Sequence, residues 1–411
     1  MTLMRGRFRL LVRRTKRLIE SWIYETFDRI ALCGVPAVYP SGIAAVVHVG
    51  LVGDYVLWRP HGHALIAWLR QNGFRLVLVI ESGVNELARQ DFPGCEVINV
   101  SRRRLLRDPR YRWRILRSLR SIGPTHSYVP RCPRDSSVHD ALVRALRAPA
   151  TGFDASFTDD MTAMSARSRR LYTCLVATPP RAHVDDQHRA FLASLGLDPT
   201  TEPVTRPGRP GAAATLRYWV MAPGASQDKR RWPAPRFVKI AQLLAHESPP
   251  LACVVLGAPD ERPLCDDIAA ALQGMQGRCI NLAGKTSLRE MQQWIAHAEF
   301  LLGNDSAAGH MAAAMGVPAV IVTGGGHHGR CFPYTAQHTP ARRRPVAVAE
   351  WMPCFHCDWV CQYASASDAP YPCIERIDVG RVHAALREAR CERPGELSTA
   401  ARCLDATSPP T

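Results

Sequence analysis

Apolar runs of strand length alternate with helix-length amphipathic stretches along most of the chain, and this alternation confines it to an α/β architecture with parallel sheets. In the first half, IAAVVHV (43–49) reads as a buried strand that passes through GLVGD into a helix from about Tyr55 to Gln71. RLVLVIE (75–81) is the next strand, a short helix runs through Asn85 to Arg89, and CEVINV is a third strand. The stretch from about Pro130 to Arg170 has no pattern that assigns elements. Residues 199–214, PTTEPVTRPGRPGAAA, have the composition of a linker. The alternation then restarts, with strands at RYWVMAP, LACVVLGAP, CINLAG, EFLLGND and PAVIVTGGG. Helices at PAPRFVKIAQLLAHE, PLCDDIAAALQGM, SLREMQQWIAHA and AGHMAAAMG separate them. A chain of 411 residues has room for two such cores. Two doubly wound domains about a linker predict a cleft at the carboxyl ends of both sheets, where open α/β folds bind ligands.

Charge narrows the partners. Lys and Arg number 52 against 36 Asp and Glu, a formal net charge of +16. The excess concentrates in MTLMRGRFRLLVRRTKRLIE at the N-terminus and in SRRRLLRDPRYRWRILRSLR, residues 101–120. Such a surface selects a polyanion: nucleic acid, anionic lipid or a phosphorylated glycan. Neither block carries a helix-turn-helix, zinc-finger or aromatic RNA-binding signature, which argues against nucleic acid. The N-terminal block can be written as a helix with Phe8, Leu11, Ile19, Trp22 and Ile23 to one side, suited to an anionic membrane face. A solvated basic extension reads equally well. No compact apolar stretch with a cleavage site follows the basic start, and Pro36, Pro40, Gly34, Gly42 and His48 interrupt the uncharged run 30–53. A cytoplasmic protein, in contact with the inner face of the membrane, is therefore expected. Most of the 14 cysteines are isolated, as reduced thiols packed like small apolar side chains would be.

Two segments carry chemistry on their own terms. In LLGNDSAAGHMAAAMGVPAVIV (301–322) a strand ends at Gly303-Asn304-Asp305-Ser306, and small residues open a helix. Free N–H groups and the positive end of the helix dipole bind phosphate at such a start. Ala307, Ala308 and Gly309 let a ligand approach the backbone, Ser306 offers a hydroxyl, and His310 lies within reach of the same anion. An N-cap at Asp305 or Ser306 on an ordinary core helix is the competing explanation. The second segment is Cys354-x2-Cys357-x3-Cys361-x11-Cys373, four cysteines with His356 among them. They suit a structural zinc or iron site, although the x3 and x11 gaps are not those of a zinc ribbon and buried free thiols would look the same.

The segment NDSAAGHMAAAMGVP resembles the D-[TS]-G-x-x-H-x-A-A-x-x-G-x-P signature of glycosyltransferase family 9, the ADP-heptose:lipopolysaccharide heptosyltransferases. VGLVGDYVLWRP (49–60), APGASQDKRRWPAPRF (222–237) and LAGKTSLREMQQWIAHAEFLLGND (282–305) resemble further segments of the same family in the same order. The resemblance covers roughly residues 43–390 and implies the GT-B fold, two Rossmann-like domains facing across a cleft. The implied division is a basic N-terminal extension (1–42), an acceptor domain (43–198), a linker (199–214), a nucleotide-sugar domain (215–380), and a C-terminal helix with a disordered tail (381–411). It implies an inverting glycosyl transfer, of heptose from ADP-heptose, to a phosphorylated lipid-linked glycan. Asp54 matches the family's general base, a role that suits a carboxylate facing an acceptor hydroxyl. Lys229 matches the cation that neutralises the departing diphosphate. The sequence here reads Lys-Arg-Arg-Trp-Pro rather than Lys-Arg-Trp-Pro, which makes Arg230 its rival. Glu261 matches the acidic residue on the ribose, with Asp260 beside it. Asp305, Ser306, Ala307, Gly309 and His310 complete the donor site, and Arg102, Arg103 and Arg104 face the acceptor. Thr286 and Ser287 cap a helix, and Gly324 to His328 line the nucleotide loop. No cofactor is expected for catalysis, because protein cations and helix donors already address the leaving group. The alternatives are a sugar-nucleotide epimerase of the same fold or a non-catalytic nucleotide- or polyanion-binding relative.

Overall fold

The computed structural model describes residues 19–36, 38, 42–154, 167–179, 181–198, 206–213, 215–246, 251–274, 278–335, 337–338, 344–363 and 368–391. Most of the N-terminal basic block, including Phe8 and Leu11, much of the linker and the tail beyond 391 lie outside them. The chain divides into two compact units, Met1–Val204 with Gly329–Cys331, and Thr205–His328 with Phe332–Thr411. The first boundary falls inside the stretch read as linker.

Unit 1 is built on β1 (Ile43–His48), β2 (Arg75–Glu81), β3 (Glu96–Val100), β4 (His126–Val129), β5 (Ala150–Phe153) and β6 (Cys174–Val176). Its order is β3-β2-β1-β4-β5-β6, with every pairing parallel. β1 is buried over its whole length, which is why it reads as a continuous apolar run. The helices are α1 over 19–32, α2 (Val52–Gln71), α3 (Asn85–Asp91), α4 (Arg102–Arg107), α5 (Pro109–Arg120), α6 (Ala141–Leu146) and α7 (Val184–Ser194). Asp108 divides the basic stretch. Its N–H bonds Arg104 O to end α4, and its carboxylate accepts the Tyr111 N–H to start α5, with Pro109 at the first helical position.

Two expectations are corrected here. Residues 19–32 are no detached extension: Ala31 and Leu32 sit in the unit 1 core with Leu105, Tyr111, Leu116 and Leu119. Nor is the 101–120 stretch wholly a surface for an anionic partner. Arg112 is 1% exposed and makes a bidentate pair with Asp28 of α1, at 2.6 and 2.7 Å, while its third nitrogen donates to Leu105 O and Ser137 O. A buried charge is tolerated only with such complete pairing. On the other side of α1, Ile19, Trp22, Ile23 and Ile30 are exposed.

Unit 2 repeats the plan with β7 (Tyr218–Ala222), β8 (Ala252–Val255), β9 (Cys279–Asn281), β10 (Leu301–Asn304), β11 (Ala319–Val322) and β12 (Val346–Val348). The order is β12-β11-β10-β7-β8-β9, again parallel throughout. Helices α8 (Ala234–Ala245), α9 (Arg262–Ala271), α10 (Leu288–Ala296), α11 (Ala307–Met315), α12 (Pro372–Glu375) and α13 (Val379–Cys391) accompany it. α13 buries Val382, Ala385 and Leu386 in the core formed by Trp219, Phe237, Phe300 and Leu302. In each unit the first strand lies between its second and its fourth. The strand order therefore reverses between β1 and β4 and between β7 and β10, which are the positions where doubly wound sheets bind ligands. Among the described residues no helix is long and apolar enough to cross a membrane.

Candidate functional site

In unit 2 the chain leaves β7 through Pro223 to Pro233 and leaves β10 at Asn304-Asp305. Asn304, fully buried, ties the two exits together: its side-chain N–H donates to Pro223 O at 2.6 Å, and its Oδ1 accepts the Trp232 N–H at 3.0 Å. Trp232 is itself buried and donates its indole N–H to Ile377 O, so both ends of the basic loop are fixed. Within that loop Arg230 reaches across the switch point. Its guanidinium donates to Asp305 Oδ2 at 3.2 Å and to Ser226 Oγ at 2.9 Å. Both partners of the ion pair are 12% exposed. Burial pushes the Asp305 carboxyl up from its ordinary range, and the Arg230 charge pulls it back. Arg231 turns instead to Asp228 and Ala225 O, and the Lys229 carbonyl accepts the Tyr371 N–H. Of the two rival cations, the guanidinium of Arg230 is the one held beside Asp305.

The helix α11 starts directly after this pair, with Ser306 as its N-cap in extended conformation and no side-chain capping bond. The cap explanation therefore leaves the first N–H groups of α11 uncapped by the Ser306 hydroxyl. Gly309 is small for an internal reason: a Cβ there would sit 2.7 Å from Ile321 Cδ1 and 2.9 Å from Phe332 Cζ. His310 is buried, its ring stacked on Phe332 at 4.4 Å and bonded through Nδ1 to the Tyr334 hydroxyl. Glu261 lies against the Gly224 backbone, where a Cβ would be 2.1 Å from the carboxyl carbon, and accepts the Ala258 N–H. Burial raises its carboxyl, and Ala258 and Arg231 lower it. Asp260 is exposed, which leaves Glu261 as the carboxylate at this strand exit. Ser287 caps α10 in a reciprocal box with Glu290, as its spacing implies.

Gly324 to Gly326 do something the sequence did not reveal. Cβ atoms at these positions would lie 2.1 Å from Phe355 (at Gly325) and 2.2 Å from Trp359 (at Gly326), and 3.1 Å from Cys373 Sγ (at Gly324). The triplet is the floor on which the cysteine loop rests, and it accepts the His356 and Asp358 N–H groups at 2.7 and 3.1 Å. The thiols of Cys354, Cys357 and Cys373 each stand near enough to other cysteines of the loop, Cys361 among them, to feel their charge. Burial raises the thiols of Cys354, Cys357 and Cys373, Cys357 to about 11, and nearby backbone N–H groups draw them part of the way back. The arrangement does not make a metal site as it stands: no three of the four sulfurs lie within 4.8 Å of one another.

In unit 1 the corresponding reversal carries a second Asp–Arg pair. Asp54, in the first turn of α2 after β1, accepts the Arg131 guanidinium at 2.9 Å, and Arg131 follows β4. The same oxygen, Oδ2, accepts the Leu51 N–H at 2.8 Å. Asp54 thus closes the helix start and still has Oδ1 without a hydrogen bond among the described residues. His139 braces the loop. It accepts the Asp135 N–H at Nδ1, which fixes its proton on Nε2, where it donates to Val49 O at 2.8 Å. Burial first, then the nearby Arg131, lower it to about 4. Of the three arginines read as acceptor-facing, Arg102 pairs with Asp135, Arg104 pairs with Asp108 over the Tyr111 ring, and Arg103 is exposed. Arg131 and Asn304 were not singled out from sequence: a lone arginine after an unassigned strand gives no signal, and Asn304 is overshadowed by the acid beside it.

The family described as "Glycosyltransferase family 9 (heptosyltransferase)" matches residues 141–356, a span that includes the basic loop, Glu261 and Asp305 to His310 but not Asp54. Lipooligosaccharide heptosyltransferase 2 of Haemophilus influenzae is 32% identical over 120 residues, 29% of this chain and 32% of that one, so the chain spans about a third of that relative's length. Among solved structures, the E. coli ADP-heptose lipopolysaccharide heptosyltransferase II superposes with a TM-score of 0.58 at 18% identity, covering 85% of this chain and 98% of that one. The iron-containing dodecameric glycosyltransferase TibC from enterotoxigenic E. coli gives 0.52 at 14%, covering 86% and 77%. These structural likenesses carry the GT-B type of fold. With its family pattern matched over more than half its length, the chain belongs to glycosyltransferase family 9, the heptosyltransferase family.

Proposed function

We propose that the protein transfers heptose from ADP-heptose to a hydroxyl of a phosphorylated, lipid-linked glycan of the lipopolysaccharide type, with inversion at the anomeric carbon. The observation that carries this reading is the Arg230–Asp305 pair at the switch point of unit 2, directly before the start of α11. A cation and a row of helix N–H donors converge there, which is the arrangement a diphosphate needs. Arg230, supported by Lys229, takes the departing charge; Ser306, Ala307 and Gly309 present the helix start that His310 packs from behind. Glu261 receives the ribose hydroxyls. As the acceptor oxygen attacks the anomeric carbon, the bond from that carbon to the diphosphate oxygen breaks and its electron pair leaves with ADP. Asp54 takes the acceptor's proton through the oxygen that Leu51 and Arg131 leave free.

The charge on the leaving group is met by protein groups, so the transfer step needs no divalent metal. Cys354, Cys357, Cys361 and Cys373 would have to draw together to hold a zinc or iron ion, and such an ion would cross-link the loop and supply no chemistry to the transfer. Arg102, Arg103 and Arg104 serve the acceptor phosphates, at the inner face of the cytoplasmic membrane.

A thermal-shift panel of ADP-, GDP-, UDP- and CMP-linked sugars, run on wild type and Asp305→Ala, tests the donor site. ADP-heptose alone should stabilise the wild type by several degrees, and the variant should lose that shift. Stabilisation by none of the four would overturn the reading. Conversion of the sugar nucleotide without an acceptor would identify an epimerase instead.

A further inference from the structure

Resting on the donor site proposed above, we infer that Trp359, carried by the cysteine loop, is a positioning residue for the diphosphate-binding cation Arg230. Trp359 adopts φ 62°, a left-handed backbone conformation that bulky residues avoid, and His356 and Asp358 beside it share that region at 67° and 48°. A strained run of this kind persists only where its surroundings hold it, and the loop is held closely. The Asp358 N–H bonds Gly326 O, the Val360 N–H bonds Cys357 O, and the indole lies directly on Gly326. The ring so presented carries two neighbours. The Arg230 guanidinium carbon stands 4.3 Å from its centroid, and the Tyr371 ring stacks on it at 5.6 Å. Arg230 is therefore fixed on three sides, by Ser226, by Asp305 and by the indole.

Its Nε and the Trp359 Nε1 are enclosed and have no hydrogen-bond partner among the described residues. The indole contributes by holding the guanidinium flat before the ligand arrives, which removes part of the ordering cost of binding. The glycine triplet and the cysteine loop thereby acquire a task beyond packing against each other: they are the mount for the arginine.

The test uses the full chain and isothermal titration with whichever of ADP, GDP and UDP the wild type binds, alongside the matching monophosphate. Trp359→Leu should weaken the diphosphate roughly 3- to 30-fold while the monophosphate stays within about twofold. Trp359→Phe, which keeps a ring face, should recover most of the loss. Melting curves of both free variants identify any that fail to fold, in which case Trp359→Phe alone decides the matter against wild type at raised salt, where a bare charge contact would weaken and a ring-mounted one would persist. Equal losses for diphosphate and monophosphate, or no loss in Trp359→Leu, would overturn the inference and leave the donor site standing. Failure of the wild type to bind any diphosphate would remove the donor site itself.

Discussion

At the scale of single residues, Asp54 combines two tasks that mutation can separate. One carboxylate oxygen holds the Leu51 N–H and Arg131, and the other is open. Asp54→Asn keeps an oxygen to accept the Leu51 N–H and loses only the charge. Its melting temperature should fall little, because a cap contributes about 1 kcal/mol and Asn serves nearly as well as Asp. Turnover should fall by about 100-fold or more, the usual worth of a positioned base. Near-normal turnover in Asp54→Asn would reduce this residue to a cap. Asn304 shows the complementary case, a buried amide with no chemistry of its own whose two bonds place the basic loop against the end of β10.

Elements explain why those residues meet. β10 can lie close beside β7 because Gly303 has no side chain: a Cβ there would stand 2.9 Å from the Ala222 carbonyl oxygen and 3.1 Å from its Cβ. Backbone cannot give way as a flexible side chain can, so Gly303→Ala should destabilise unit 2 by roughly 1–3 kcal/mol, read from urea unfolding. It should also widen the Arg230–Asp305 gap and weaken donor binding in step. Both sheets were legible in the sequence because strands inside them, such as those at 43–49 and 252–256, are continuous buried apolar runs. β12, three residues long, and the strands and helix between 126 and 176 were not, because short elements carry too little period. Arg112 misled for a different reason. A charge run reads as surface, and only the tertiary pairing with Asp28, 84 positions away, reveals an internal residue. The packing of the glycine triplet was illegible likewise, since what it accommodates lies some thirty residues downstream.

At the scale of the whole molecule, acid should act first on unit 1. His48 stacks on Trp58 at 4.6 Å with neither ring nitrogen bonded among the described residues, and His188 lies 6.5 Å from it. Burial holds both well below the ordinary imidazole value, as it does His139. Below about pH 6.5 the unfolded chain takes up protons that the folded one refuses, so stability is full above that pH and declines as pH falls. For His139, at about 4, the loss by pH 5 is on the order of 2 kcal/mol. Calorimetric scans at pH 7, 6 and 5 should show the unit 1 transition moving down, and His48→Phe should flatten the trend while keeping the stack. An unchanged transition from pH 7 to 5 would mean that these imidazoles are not buried in their neutral form.

The pairing of Arg230 with Asp305 also bears on what the protein ignores. A lone guanidinium at a helix start would attract every phosphate and sulfate in its surroundings. Tied to a carboxylate 3.2 Å away, it presents little net charge to a small ion passing by, and a single contact with the guanidinium returns little against the repulsion of that carboxylate. Only a ligand that also contributes contacts elsewhere can overcome that repulsion, so the ion pair works as a threshold that bystander anions do not cross.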